Sequence, residues 1–347
     1  MHKKNNIEKS AAKNDDETTS SVIVQPETPN LKPETHKPKT INLPLAGFIL
    51  TFIGSLLFST KAIIVKLAFA ATQTDAITLL GLRMIFSLPF YLFAAFMVSN
   101  KAGNIKMTTR QWITVASLGI TGYYISSLCD FVGLQYISAG LERLILFLYP
   151  TIAVLINAWL FRQKISRVQH IALMLTYVGI GIAYYGELKI DQHNPNFLFG
   201  SFMVFLCAVT FAIYLVGSGK IIPAIGSTKF TAFAMLAATV GVLSHNVVVN
   251  NAAQLNTGNG LWWYGITLAI IATVIPSFLM ANGMKKIGSN NVAIISSIGP
   301  VSTILQAHFI LHEPLFAAQI AGTTLVIAGV LLIGWKSRQP KEMKEHT

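Results

Sequence analysis

The strongest constraint on the chain is a train of apolar runs, each close to the roughly 20 residues an α-helix needs to cross a bilayer. Ten can be marked, at 45–68, 76–98, 112–132, 139–160, 168–186, 197–218, 230–250, 261–282, 289–311 and 316–336. The runs are continuous and lack the alternation of barrel strands, so helices are the only spanning form open to them. The sequence is 53% hydrophobic and 12% charged, which is about half the charge of a soluble domain. The expected fold class is an all-α integral membrane protein of ten transmembrane helices.

The basic residues between the runs set an expected orientation. The second gap holds Lys101, Lys106 and Arg110, the fourth Arg162, Lys164 and Arg167, the sixth Lys220 and Lys229, and the eighth Lys285 and Lys286. The C-terminal segment has Lys336, Arg338, Lys341 and Lys344, whereas the odd gaps hold little beyond Lys189. Lys and Arg accumulate on the cytoplasmic side, which puts both termini and all even gaps there. Residues 1–42 are polar and proline-containing, and read as a disordered cytoplasmic tail with no early apolar segment of a secretory signal. Residues 337–347 read as a second cytoplasmic tail. The net charge of +12 is dispersed between apolar runs, so it is assigned to cytoplasmic loops and not to nucleic-acid binding. Cys129 and Cys207 both lie in apolar runs and form neither a disulfide framework nor a metal motif.

A single offset of 150 residues aligns two stretches of the chain. It sets Gly133 on Gly283, Ile137 on Ile287, Pro150 on Pro300, Leu155 on Leu305, Leu175 on Leu325 and Gly179 on Gly329. This is an internal duplication, with repeats at 45–186 and 197–336. Five helices per copy is an odd number, so the copies are expected to be inverted, as in many secondary transporters. Val292 and Ala293 stand where the first copy has Glu142 and Arg143.

The segments LFRQKISRVQHIALMLTYVGI (160–180), ILHEPLFAAQIAGTTLVIAGV (310–330) and GLRMIFSLPF (81–90), within the ten-run pattern, resemble EamA-type carriers of the drug/metabolite transporter superfamily. The resemblance covers residues 45–336. It implies a ten-helix carrier fold, and a Glu before the last helix of each repeat. Glu313 matches that pattern; the first repeat has Gln163, and Phe58-Ser59 replaces a Trp-Gly pair common in the family's first helix.

Ionisable residues inside a membrane are costly and are candidate sites by default. Lys61, Asp130, Glu142 and Arg143 are the charged candidates. Arg83 is expected to pair structurally with a carboxylate or with the carbonyl end of a neighbouring helix, and Glu313 is also assigned a structural charge. Adjacent residues point about 100° apart on a helix, so Glu142 and Arg143 are expected to face different partners. The polar residues Tyr149, Tyr214, Asn282, Gln306 and His308 are candidates for lining a cavity or for bonding between helices. Pro150 and Pro300, read as mid-helix and equivalent, and Pro276 would each free a carbonyl one turn earlier and serve as hinge or kink. Ala318, Gly322 and Gly329 form a small-residue face for packing within the fold or in a homodimer.

No nucleophile elbow, phosphate loop or metal-spaced His/Cys set is present, so no enzyme, cofactor or metal is expected. The reading is an inner-membrane secondary transporter that exports a small amino-acid-like or drug-like metabolite by alternating access, with protons as the candidate coupling ion. A membrane sensor or enzyme and a lipid flippase on the same scaffold are the alternatives.

Overall fold

The computed structural model describes residues 45–100, 106–160, 167–190, 194–250, 260–296 and 298–336. The two tails and the basic loop with Arg162, Gln163 and Lys164 lie outside the described residues. Every described element is helical. Eight helices are long and apolar enough to cross a membrane, and two shorter apolar ones follow at Ile298–Leu311 and Ala317–Gly329.

The ten apolar runs become α1 (Leu45–Thr72), α2 (Ala76–Ser99), α3 (Thr109–Leu134), α4 (Ala139–Leu160), α5 (Arg167–Ile190), α6 (Phe197–Ile225), α7 (Ser227–Asn250), α8 (261–296), α9 (Ile298–Leu311) and α10 (Ala317–Lys336). Three boundaries differ from the expectation by more than four residues: the ends of α6 and α8 and the start of α9. α6 does not stop at 218 but runs to Ile225, because the residue that ends it is Gly226 with φ +86°. Lys220 and Lys229 therefore sit on helices and not in a loop. α8 continues to Ser296 past the expected end at 282, and takes the first turns of the ninth run. The 14 residues left to α9 span about 21 Å, short of a hydrocarbon core of about 30 Å. Pro150 and Pro300 are not mid-helix: they are the second and third residues of helical segments beginning at Tyr149 and Ile298. There the missing proline N–H breaks no bond within its own segment.

The packing is that of a membrane bundle. Large apolar side chains such as Phe93, Phe96, Trp159, Met174, Leu198, Val248 and Trp263 face outward. Many buried positions carry small or hydroxyl side chains, for instance Ala62, Ala68, Ala208, Thr51, Ser55, Ser59 and Ser87. Their hydroxyls return to the helix's own backbone four residues back: Thr51 to Gly47, Ser55 to Thr51, Ser59 to Ser55 and Ser87 to Arg83. In lipid, where water cannot satisfy them, this leaves few polar groups orphaned.

The contacts carry the duplication into space. α1 packs on α8 and α9, while α6 packs on α3 and α4; α2 pairs with α7 and α5 with α10. A side chain at Gly47 would meet Lys286 and Ile287, and one at Gly200 would meet Tyr136 and Ile137, the repeat partners of those two residues. Likewise a side chain at Gly283 would meet Thr51, and one at Gly133 would meet Val204. Between α5 and α10, Gly179 and Gly322 each stand where a Cβ would strike the other's backbone oxygen. Gly329 meets Ala172 and Thr176, and Ala318 meets Gly186. The small-residue face of α10 is thus occupied inside the fold.

Both α3 and α8 contain a π-helical turn, beginning at Ile120 and at Ile270, again 150 residues apart. The amide of Ser126 bonds the Thr121 carbonyl, and that of Ile275 the Ile270 carbonyl, each five residues back. Thr273 Oγ1 donates to the Leu268 carbonyl, also five residues back, at 2.8 Å.

Candidate functional site

Four charged side chains were placed by the sequence in three different helices, and the bundle brings them together. Lys61 Nζ lies 2.6 Å from Asp130 Oδ2 and 3.9 Å from Glu142 Oε1. Asp130 and Glu142 are fully buried, and Lys61 is nearly so. Lys61 Nζ is thus within ion-pair distance of both carboxyls. Two carboxyls therefore share one ammonium. An uncompensated buried charge is unfavourable by several kcal/mol, about 2.5–3.5 on insertion scales, which makes this cluster the candidate site.

These residues adjoin a cavity of about 200 Å³. Its wall includes Ser55, Phe58 and Lys61 of α1, Arg83 of α2, and Tyr123, Ser126, Ser127 and Asp130 of α3. α4 adds Arg143, Leu146, Phe147 and Tyr149; the second half of the chain adds Cys207, Phe211, Ala272, Met280 and Ser296. Lys61, Asp130, Arg143 and Tyr149 are thus sequence candidates on the cavity wall. Glu142 is turned away from the opening, toward Lys61, while its neighbour Arg143 faces the cavity, the division that the angle between adjacent helical residues requires. Arg143 lies over Gly299, where a Cβ would stand 2.9 Å from Nη2.

Local sequence explains how these groups are held. Ser138 caps α4, its hydroxyl accepting from the Leu141 amide at 3.0 Å. Glu313, across the repeats, accepts from the amides of Ala139 and Gly140 at 2.9 and 3.3 Å. A carboxylate at a helix N-terminus is favoured by the helix dipole, so Glu313 orients the helix that carries Glu142 and Arg143. α4 then breaks at Phe147 and Leu148 and restarts at Tyr149. Pro150 has no N–H for the Leu146 carbonyl; in the same way Pro276 cannot serve Ala272, nor Pro300 Ser296. All three of those carbonyl-bearing residues line the cavity.

Other candidates lie elsewhere. Arg83 has no carboxylate or helix-end partner among the described residues, contrary to the expectation: it reaches Ser127 Oγ at 3.4 Å and lies 5.5 Å from the Phe131 ring centre. Tyr214 stands one layer behind the wall, its hydroxyl 3.0 Å from that of Tyr123. Asn282 is exposed and donates to its own helix at Phe278, Gln306 donates to Ser302, and His308 pairs with the Glu313 carbonyl at 2.9 Å. None of these three lines the cavity. The hydroxyls of the wall that the sequence reading overlooked are Ser55, Tyr123, Ser126, Ser127 and Ser296. Their signal was present: Tyr123, Ser126, Ser127 and Asp130 follow the spacing of one helix face.

Among the described residues no group of three or more His, Cys, Asp or Glu could hold a metal ion.

A multi-pass helical bundle with charge buried around an internal cavity is the build of a membrane transporter. The chain belongs to the EamA-like transporter family, whose pattern matches residues 45–185 and again 198–335. An uncharacterised transporter, YcbK of Bacillus subtilis, is 30% identical over 80% of this chain and 89% of its own. A second from that organism, YetK, is 23% identical over 75% and 78%. A protein of known crystal structure is similar over 86% of this chain and 98% of its own, with a TM-score of 0.59 at 16% identity, a likeness of fold alone.

Proposed function

We propose that the protein is a secondary transporter of a small metabolite, working by alternating access. In this reading ten helices span the membrane as two inverted five-helix repeats, with both termini in the cytoplasm of a cell whose inner membrane holds it. The observation that carries the reading is the makeup of the cavity wall. Three pairs related by the 150-residue offset, Gly122 with Ala272, Asp130 with Met280 and Leu146 with Ser296, line the same cavity. A site shared by equivalent positions of two inverted halves lies where rocking of one half against the other opens it to alternate sides. The reciprocal contacts of Gly47 and Thr51 with α8, and of Gly200 and Val204 with α3, supply a matching seal for each side.

The pairs also show where the symmetry is broken. Asp130 faces an apolar partner in Met280, and Glu142 has one in the sequence at Val292. Charge around the cavity is thus confined to one half, as a coupling site requires and a scaffold does not. In this scheme Glu142 takes a proton from the aqueous side, which frees Lys61 from one of its two carboxyls, and gives the proton up on the other.

The test is transport in proteoliposomes with a substrate found by thermal-shift screening of pooled metabolites. Wild-type protein should exchange labelled for unlabelled substrate and accumulate it along a pH gradient. Glu142→Gln should keep exchange and lose pH-driven accumulation. Accumulation unchanged in Glu142→Gln would remove this residue from coupling, and absence of any exchange by the wild type would overturn the carrier reading.

A further inference from the structure

The ionised groups around the cavity do not balance. Three are cationic, Lys61, Arg83 and Arg143, against two carboxyls, Asp130 and Glu142. Both carboxyls are occupied by Lys61. Arg83 is 5% exposed, and its Nε has no hydrogen-bond partner; a hydroxyl and an aromatic face are what lie against it. Arg143 has no acidic group within 4.0 Å among the described residues, and its Nε is also unpartnered. Two guanidiniums on one cavity wall, with no carboxylate within 4.0 Å among the described residues, form an incomplete arrangement. The planar fork of a guanidinium fits a carboxylate, and a charge-assisted pair of this kind is stronger away from water.

We infer that the transported molecule is a monoanion, a carboxylate on an apolar or aromatic body, whose carboxylate is received by Arg143 with Arg83 beside it. The inference rests on the carrier reading for its word "transported" and on the charge count for the rest. One carboxylate cancels the surplus of one positive charge. A lone amine would have to displace Lys61 to reach a carboxyl, and a zwitterion would have to do so with half of its charge. The body is set by the remaining wall: Phe58, Phe147, Tyr149 and Phe211 line the cavity, and the Tyr149 and Phe211 rings lie edge to face at 5.0 Å. Gly299 is part of the same device, since any side chain there would push the guanidinium of Arg143 from its place.

Three probes that share a phenylethyl unit separate the charge classes: 3-phenylpropionate (anion), 2-phenylethylamine (cation) and phenylalanine (zwitterion). Their affinities for the purified full-length protein are measured by calorimetry and thermal shift. The expected result is that 3-phenylpropionate binds at least tenfold more tightly than the amine and more tightly than phenylalanine. Arg143→Gln should weaken it at least tenfold and Arg143→Lys by less, because lysine keeps the charge but loses the fork. A preference for the amine or for phenylalanine, no binding of any probe, or full affinity in a folded Arg143→Gln protein would each overturn the proposal. If that variant does not fold, the ranking on the wild type still decides. Labelled 3-phenylpropionate that binds but fails to exchange in proteoliposomes would leave the ligand class standing and sink the carrier reading instead.

Discussion

Arg143 and Gly299 show how a single residue fixes the chemistry of a site from the opposite repeat. Gly299 is the offset partner of Tyr149, and its missing side chain is the space the guanidinium fills. Gly299→Ala should therefore leave the fold nearly intact, since Nη2 is the far end of a flexible chain, yet reduce ligand affinity by displacing Arg143. A bound-ligand thermal shift that stays at the wild-type size would contradict this. A second residue-scale contrast lies on α5. Gly179→Ala would set a methyl group against the Gly322 backbone and should destabilise by about 1–3 kcal/mol, the usual range for overpacking. Gly181, two residues on, has open space at its Cβ position, so Gly181→Ala should be neutral or stabilising by up to about 1 kcal/mol. Unfolding of the two variants in a lipid-like detergent distinguishes them, and equal stability would refute the close α5–α10 contact. The charged residues were legible because membrane interiors penalise charge. Their partners were not, since the Lys61 and Asp130 contact joins residues 69 apart in sequence and depends on how α1 and α3 cross.

At the scale of elements, interruptions position the site. The π-helical turn of α3 takes in one extra residue just ahead of Ser126, Ser127 and Asp130, which line the cavity together with Tyr123 of the turn itself. The breaks before Pro150 and Pro300 act in the same way. Pro150→Ala would give the Leu146 carbonyl a donor and favour a continuous α4, so transport should fall while affinity changes little. The prolines were legible in the sequence as breaks one turn upstream. Their place at the start of a segment was not, because LFLYP reads as a continuous apolar run while the helix has already ended at Leu146. The end of α6 illustrates the reverse: the apolar run ends at 218, yet the helix continues to Ile225 and stops at Gly226, whose φ is +86°.

For the molecule as a whole, the orientation proposed from the basic residues and the reciprocal packing of the halves are independent arguments with one consequence. If α1 and α6 are equivalents in inverted copies, α1 enters the membrane from the cytoplasm and α6 from outside. The described contacts are compatible with this, since α1 closes against 283–287 of α8 and α6 against 133–137, at the end of α3 and in the turn after it, equivalent points in opposite repeats. The repeat was legible in the sequence because glycines and prolines at close contacts tolerate little replacement and so keep the offset visible. The pairing of the halves was not, as no spacing rule links Gly47 to Ile287. A topology test decides the matter. A reporter active only outside the cytoplasm should give signal when fused after residue 255, between α7 and α8, and none when fused after residue 225, at the end of α6. The reverse pattern would overturn both the orientation and the cytoplasmic assignment of the termini. Signal at both positions would mean that α7 does not cross and that α6 ends outside the cytoplasm as α1 does, which would abolish the inversion.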